Sequence, residues 1–186
     1  MRWLALACAL LSPSLAAAEK FGVGVRATSF ARGEENEGNP LVFRGGGVQV
    51  RWRPFTHWSL ELAFDGLRAE SEGGAISATS VPMLLAARFH LFTRPQWDCY
   101  LLFGAGGATT KVSFRTADGT MREEEFSEAQ VHLGAGLEYR FGRLGLGTEI
   151  RAVGVGTDEQ AKTFRGPPGD DEGGVQFHVT ATYYLF

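Results

Sequence analysis

Cysteine is scarce: the 186-residue chain has two, Cys8 and Cys99. A framework of disulfides is therefore excluded as the source of stability. No run of about 18 apolar residues occurs, which excludes a membrane-spanning helix. There is no excess of positive charge. With 18 basic against 21 acidic residues and a net charge of -3, the chain lacks the basic face that nucleic-acid binding requires. No G-x-S-x-G elbow, H-E-x-x-H motif or P-loop appears, so the sequence carries no catalytic signature, and no enzyme and no cofactor are expected. Helical periodicity is missing throughout. What the chain does have is glycine, at 25 positions, together with 44% hydrophobic and 21% charged residues. That balance suits a folded β protein of one domain and rules out a disordered chain.

The first eighteen residues read as an export address. Arg2 supplies a positive start, Trp3 to Leu11 form a short apolar run, and Ala16-Ala17-Ala18 provides a small-residue cleavage site. The mature domain is then expected to span 19–186, with residues 1–18 a cleaved signal peptide. Cys99 would be its sole cysteine.

Strict alternation marks the strands. Val131, Leu133, Ala135, Leu137, Tyr139 and Phe141 share one face; His132, Gly134, Gly136, Glu138 and Arg140 share the other. After Gly142-Arg143 the alternation resumes, with Leu144, Leu146, Thr148 and Ile150 set against Gly145, Gly147, Glu149 and Arg151. This is a hairpin. The same period-2 pattern recurs around Val23, Val50, Leu62, Leu85, Leu101 and Val179, giving eight strands. Short connections (54–57, 93–96, 142–143) alternate with long polar ones (31–40, 69–79, 115–125, 157–173). An up-and-down meander then puts every long connection at one end. The long connections hold most of the acidic residues, including Glu123-Glu124-Glu125 and Asp170-Asp171-Glu172.

Alternation alone leaves open which face is buried. Three features turn the apolar face toward lipid. Aromatic residues gather at both strand ends: Trp52, Phe55, Trp58, Phe92, Trp97, Tyr139 and Phe141 beside the short turns, and Phe30, Phe43, Phe114 and Phe126 beside the long loops. These are expected to form two interfacial belts. The polar face is also volume-compensated. A two-residue turn sets Arg140 against Gly145, Glu138 against Gly147, Glu149 against Gly136 and Arg151 against Gly134, as a confined interior demands and a solvated surface does not. Finally, eleven residues at about 3.3 Å each, tilted by about 40°, span roughly 25 Å, the height of an outer-membrane apolar band. Arg26, Arg51, Arg53, Arg88, Arg140 and Arg151 are then expected to meet Glu61, Asp65, Glu138 and Glu149 in the lumen, because buried charges must be paired, and His90 and His132 share that inward phase. A soluble lipocalin-type barrel is the alternative that exposes the charged face instead.

The leader, eight strands, short turns, long acidic loops and the terminal Val179-Thr180-Ala181-Thr182-Tyr183-Tyr184-Leu185-Phe186 resemble the small outer-membrane β-barrel superfamily, which includes the OmpA membrane domain, OmpX and the opacity-type adhesins of Gram-negative bacteria. The resemblance implies an all-β, eight-stranded antiparallel up-and-down transmembrane β-barrel in the outer membrane. It implies contact with outer-membrane lipid and lipopolysaccharide, and handling by the barrel-insertion machinery. It also implies an assembly signal at Tyr184 and Phe186. Thr182, Thr180 and His178 depart from the family's alternate apolar positions, whereas Val175, Phe177, Val179, Ala181, Tyr183 and Leu185 occupy the other phase. A bulge near the terminus would reconcile the two.

The resemblance further implies a scaffold that presents loops 31–40, 69–79, 115–125 and 157–173 for adhesion or surface interaction. A narrow porin-like channel and an outer-membrane lipid-modifying enzyme are the alternatives. His132 and His178, expected at similar heights with Glu149 between them, are the candidate metal or acid–base group. Hydrogen-bonded lumen residues are the plainer reading, and no metal site is assigned. His178-Val179-Thr180 has threonine where the lipid deacylases of this architecture carry serine.

Overall fold

The structure is a computed structural model that describes residues 21–33, 41–70, 76–93, 96–115, 120–157 and 172–185. The leader 1–18 and Phe186 lie outside the described residues. The eight strands are β1 (Phe21–Gly33), β2 (Leu41–Trp52), β3 (Trp58–Glu70), β4 (Ile76–Thr93), β5 (Trp97–Arg115), β6 (Met121–Phe141), β7 (Leu144–Thr157) and β8 (Glu172–Tyr184). Each pairs antiparallel with its neighbours in chain order, and β8 returns to β1 to close the barrel. Closure satisfies every edge, which a sheet in hydrocarbon requires.

The side-chain period fixes the two surfaces. Val131, Leu133, Ile150 and Val179 are among the large apolar residues on the outside, Leu133 with 68% of its surface exposed. Arg26, Arg51, Glu61, Arg88, Glu138, Glu149 and Arg151 are buried inside. The polarity is thus inverted relative to a water-soluble barrel. The last hairpin pairs Gly134 with Arg151, Gly136 with Glu149, Glu138 with Gly147 and Arg140 with Gly145. The same exchange of bulk appears elsewhere, with Gly22 opposite Arg51 and Gly47 between Arg26 and Asp65. A Cβ on Gly136 would overlap the ring of Tyr100, and one on Gly145 would lie 2.7 Å from the Glu138 carboxyl carbon. The hairpin turns on Gly142 at φ 60°, the glycine-first geometry of a tight two-residue connection.

Three expectations are corrected. Strands run beyond the lipid band: β3 reaches Glu70, β4 begins at Ile76, β5 ends at Arg115 and β6 begins at Met121. Much of 69–79 and 115–125 is therefore strand, and 31–40 and 157–173 are shortened at their ends as well. The acidic run Glu123-Glu124-Glu125 pairs with Ser113, Val112 and Lys111. Charged residues are acceptable in strands there because the ladder has left the hydrocarbon.

The second correction concerns the aromatic belt at the long-loop end. Phe30 and Phe43 are buried inside the barrel with Leu67, Ala69, Ala78, Val112, Val153 and Val155, and Phe114 and Phe126 pack against them. Phe30 shares the inward parity of Arg26, so strand geometry overrides the pull of an interface. The belt at the short-turn end does face outward at Trp52, Trp97 and Phe141. Trp97 and Tyr139 meet edge-on at 4.6 Å between ring centroids.

The third correction is to β8. Its pairing with β1 and β7 is continuous, with no bulge. Val175, Phe177, Val179 and Tyr183 face out, while His178, Thr180, Thr182 and Tyr184 face in.

Candidate functional site: the barrel lumen

Three tiers of side chains fill the lumen. At the long-loop end lies the phenylalanine cluster, with Phe30 and Phe43 stacked at 6.0 Å between centroids. Below it a charge network crosses the barrel. Near the short turns lies a polar mouth.

Glu61 from β3 is the hub of the network. It accepts from Arg51 Nε at 3.0 Å, from Arg151 Nη2 at 3.0 Å and from Arg88. Arg26 Nη1 stands 3.5 Å from the same carboxylate and clamps Asp65 with two donors, its Nε at 2.6 Å. Glu149 from β7 takes Arg88, the Arg151 Nε at 3.0 Å and the Tyr100 hydroxyl at 2.7 Å. Glu138 from β6 takes Arg51, the Arg140 Nε at 3.1 Å and the Tyr184 hydroxyl at 2.6 Å. The guanidinium of Arg88 lies over Tyr100 at 4.4 Å, and that of Arg140 over Tyr184 at 4.5 Å. Arg26, Arg51, Arg88 and Arg151 thus meet four carboxylates, Glu61, Asp65, Glu138 and Glu149, so charge is balanced within the tier. An unmatched ion in such a place carries a cost of several kcal/mol.

Arg140 bridges this tier and the mouth, holding Glu138 with Nε and reaching down to Asp98 at 3.2 Å. At the mouth, Arg53 and His90 are buried as their phase predicts, whereas Ser59 and Asp98 were not anticipated. Asp98 also accepts from Arg53 at 3.0 Å and bonds His90 Nδ1 at 2.8 Å, and His90 Nε2 bonds Ser59 Oγ at 2.8 Å. The available signal was parity: Ser59 shares a face with Glu61, and Asp98 with Tyr100. Tyr100 and Tyr184, which tie carboxylates to the wall, were missed for the same reason.

His132 and His178 are not joined. His178 contacts Thr28 at 2.9 Å and Gln176 at 3.3 Å, and His132 contacts Gln130 at 3.3 Å. Among the described residues no group of histidine, cysteine and carboxylate side chains is arranged to hold a metal. The lumen leaves little room. A pocket at the mouth, lined by residues including Ser59, His90, Asp98 and Arg140, has a volume near 10 Å³, enough for about one water.

An inverted, closed, eight-stranded barrel with a charge-paired interior is matched by one family. The family of the outer membrane protein beta-barrel domain matches residues 3–184. The chain belongs to that family. It is an outer-membrane protein, and barrels of this kind turn their short connections toward the periplasm and their long ones toward the exterior. Solved structures of similar fold include neisserial surface protein A, with a TM-score of 0.62 at 11% identity, covering 89% of this chain and 97% of that one. Ail, the attachment invasion locus protein of Yersinia pestis, superimposes with a TM-score of 0.59 at 16% identity, covering 89% and 99%. The N-terminal barrel of Pseudomonas aeruginosa OprF gives 0.51 at 16% identity, covering 87% and 97%. These likenesses concern the fold. No curated protein matches the sequence.

Proposed function

We propose that the protein is a sealed outer-membrane scaffold that presents its long-loop end for adhesion or another surface interaction. The observation that carries this reading is the filled lumen: a phenylalanine cluster stands above a charge-paired network, and the pocket at the mouth has a volume near 10 Å³. A barrel of this strand number is just wide enough for its own side chains. Function then falls to what the strands hold above the membrane. The long connections are acidic in sequence, and Glu123, Glu124 and Glu125 are exposed on β6 beside Arg122, with Glu125 paired to Lys111. Ail has been crystallised with the heparin analogue sucrose octasulfate; the acidic excess of the long connections here favours a partner with a basic face over a sulfated one.

In the same reading, residues 1–18 direct export, and Tyr184 and Phe186 serve the insertion machinery before closure turns Tyr184 inward. Lipopolysaccharide surrounds the outer leaflet side of the barrel. The protein acts without a cofactor and is not primarily an enzyme.

Two measurements test this proposal. Planar bilayers containing the purified barrel should show no steady conductance across a range of voltages; a reproducible open channel refutes the sealed lumen. Cells displaying the barrel should adhere to surfaces coated with polylysine or basic protein more than cells lacking it. Replacing 158–171 by a short glycine–serine connection, or Glu123, Glu124 and Glu125 by glutamine, should reduce that adhesion. Equal adhesion with and without the barrel refutes the presenting role.

A further inference from the structure

The periplasmic mouth contains an arrangement that charge packing does not require. Ser59 is the second residue of β3, Asp98 the second of β5, and His90 lies near the end of β4, so three strand ends bring them to one level. All three are buried and line the same small pocket. Asp98 is ionised beside two guanidiniums and can only accept, so the 2.8 Å contact fixes the proton of His90 on Nδ1. Nε2 is then a lone-pair acceptor, and the Ser59 hydroxyl donates to it at 2.8 Å. The backbone of His90 is held in place as well: its N–H donates to His57 O at 2.9 Å, and its carbonyl accepts from His57 Nδ1 at 3.1 Å.

This is the order of roles that activates a serine: nucleophile, base, and a carboxylate that sets the base's tautomer. Arg88 stands directly opposite Ser59 in the β3–β4 register. It lines the pocket, and its buried Nε has no hydrogen-bond partner. A buried cation with an uncommitted donor lining the same pocket is a group that could stabilise a developing oxyanion.

We infer that Ser59, His90 and Asp98 form an activated-serine site at the periplasmic mouth, able to take the acyl group of short carboxylic esters. The pocket holds about one water, less than an acetyl group, so only the smallest acyl groups enter, as its side chains shift, and the alcohol part stays outside. In the reaction Ser59 Oγ bonds to the ester carbonyl carbon while its proton passes to His90 Nε2. The carbon–oxygen bond to the alcohol then breaks, and that proton leaves with the alcohol. Water, deprotonated by the same nitrogen, attacks the acyl-serine, releases the carboxylic acid and restores the hydroxyl. Asp98 is a positioning residue, held by Arg53 and Arg140. This site is independent of the surface role proposed above.

The test uses the full chain folded in detergent micelles, with methanesulfonyl fluoride and 4-nitrophenyl acetate as probes. Heat-modifiable gel mobility of each sample reports closure. The expected result is addition of one methylsulfonyl group, located on the peptide containing Ser59 by mass spectrometry, in the folded barrel and not in the urea-unfolded chain. The Ser59 Oγ–sulfur bond forms as the sulfur–fluorine bond breaks and fluoride leaves. Acetate release should accompany it, and Ser59→Ala should abolish both. His90→Gln should slow both by about a hundredfold or more, and Asp98→Asn should lower the rate and change its pH profile. The inference is overturned if the folded wild-type barrel takes up no methylsulfonyl group on Ser59, if Ser59 reacts equally in urea, or if folded Ser59→Ala hydrolyses the ester at the wild-type rate. The wild-type labelling decides the matter even if a variant fails to close.

Discussion

Replacing Glu61 by glutamine removes the hub of the lumen network while preserving shape. In the native barrel its carboxylate is inaccessible and shares its oxygens among Arg51, Arg88 and Arg151, with Arg26 at 3.5 Å. The substitution leaves four buried guanidiniums facing three carboxylates. Glutamine still offers one acceptor oxygen, but it brings two N–H donors toward groups that only donate. Breaking a buried ion pair by removing one partner costs about 3–5 kcal/mol, and the remaining acceptor puts the expected loss near the lower end, about 3 kcal/mol. With a urea slope of about 1–3 kcal/mol per molar, the unfolding midpoint should fall by roughly 1–3 M. The assay is urea titration in micelles, followed by tryptophan fluorescence and unheated gel mobility. Glu125→Gln is the control. Its side chain is 56% exposed and pairs with Lys111 at 3.0 Å, and an exposed pair is worth less than about 1 kcal/mol. If Glu61→Gln shifts the midpoint no more than Glu125→Gln, the lumen charges are solvated rather than locked, and the argument for a sealed interior fails.

Three further outcomes follow from the packing. Leu133→Arg puts a charge on the outward apolar face of β6, where Leu133 is 68% exposed, and should cost about 2–4 kcal/mol of folding free energy in lipid vesicles. Gly136→Val drives a side chain into the Tyr100 ring and should cost about 1–3 kcal/mol by overpacking, read from the same titration. Phe43→Ala opens the plug at the long-loop end, where Phe43 is buried against Phe30. It should cost about 3–5 kcal/mol, and unchanged stability would show that the phenylalanines do not form a core.

Much of the architecture was legible in the sequence because a strand in a small barrel has only two faces, and parity assigns every residue to one. The two-residue turn at Gly142-Arg143 fixed the register of the last hairpin, and that register set Arg151 opposite Gly134 and Glu149 opposite Gly136, the exchange of bulk that marks the inner face. Parity would also have placed Phe30 inside. It was outweighed by the expectation that aromatic residues seek both interfaces, although a lumen that tapers from ions to hydrocarbon has its own use for them. Glu123-Glu124-Glu125 read as loop because charge suggests water. These residues are indeed exposed, but the β5–β6 ladder continues through them. The Ser59–His90–Asp98 contact was not legible, because it depends on the heights of three separate strand ends, which alternation does not report.

The account depends most on which face meets hydrocarbon. Single cysteines at positions 133 and 150, in a Cys99→Ser background, can carry nitroxide spin labels in vesicle-embedded barrel, with a third label at Thr56 in a short turn. Collisional accessibility to oxygen and to a water-soluble nickel chelate then separates lipid from water. The account predicts that labels at Leu133 and Ile150 are relaxed by oxygen and sheltered from the chelate, while the label at Thr56 meets the chelate. Strong chelate access at Leu133 and Ile150 would mean that these side chains face water, and would contradict the account.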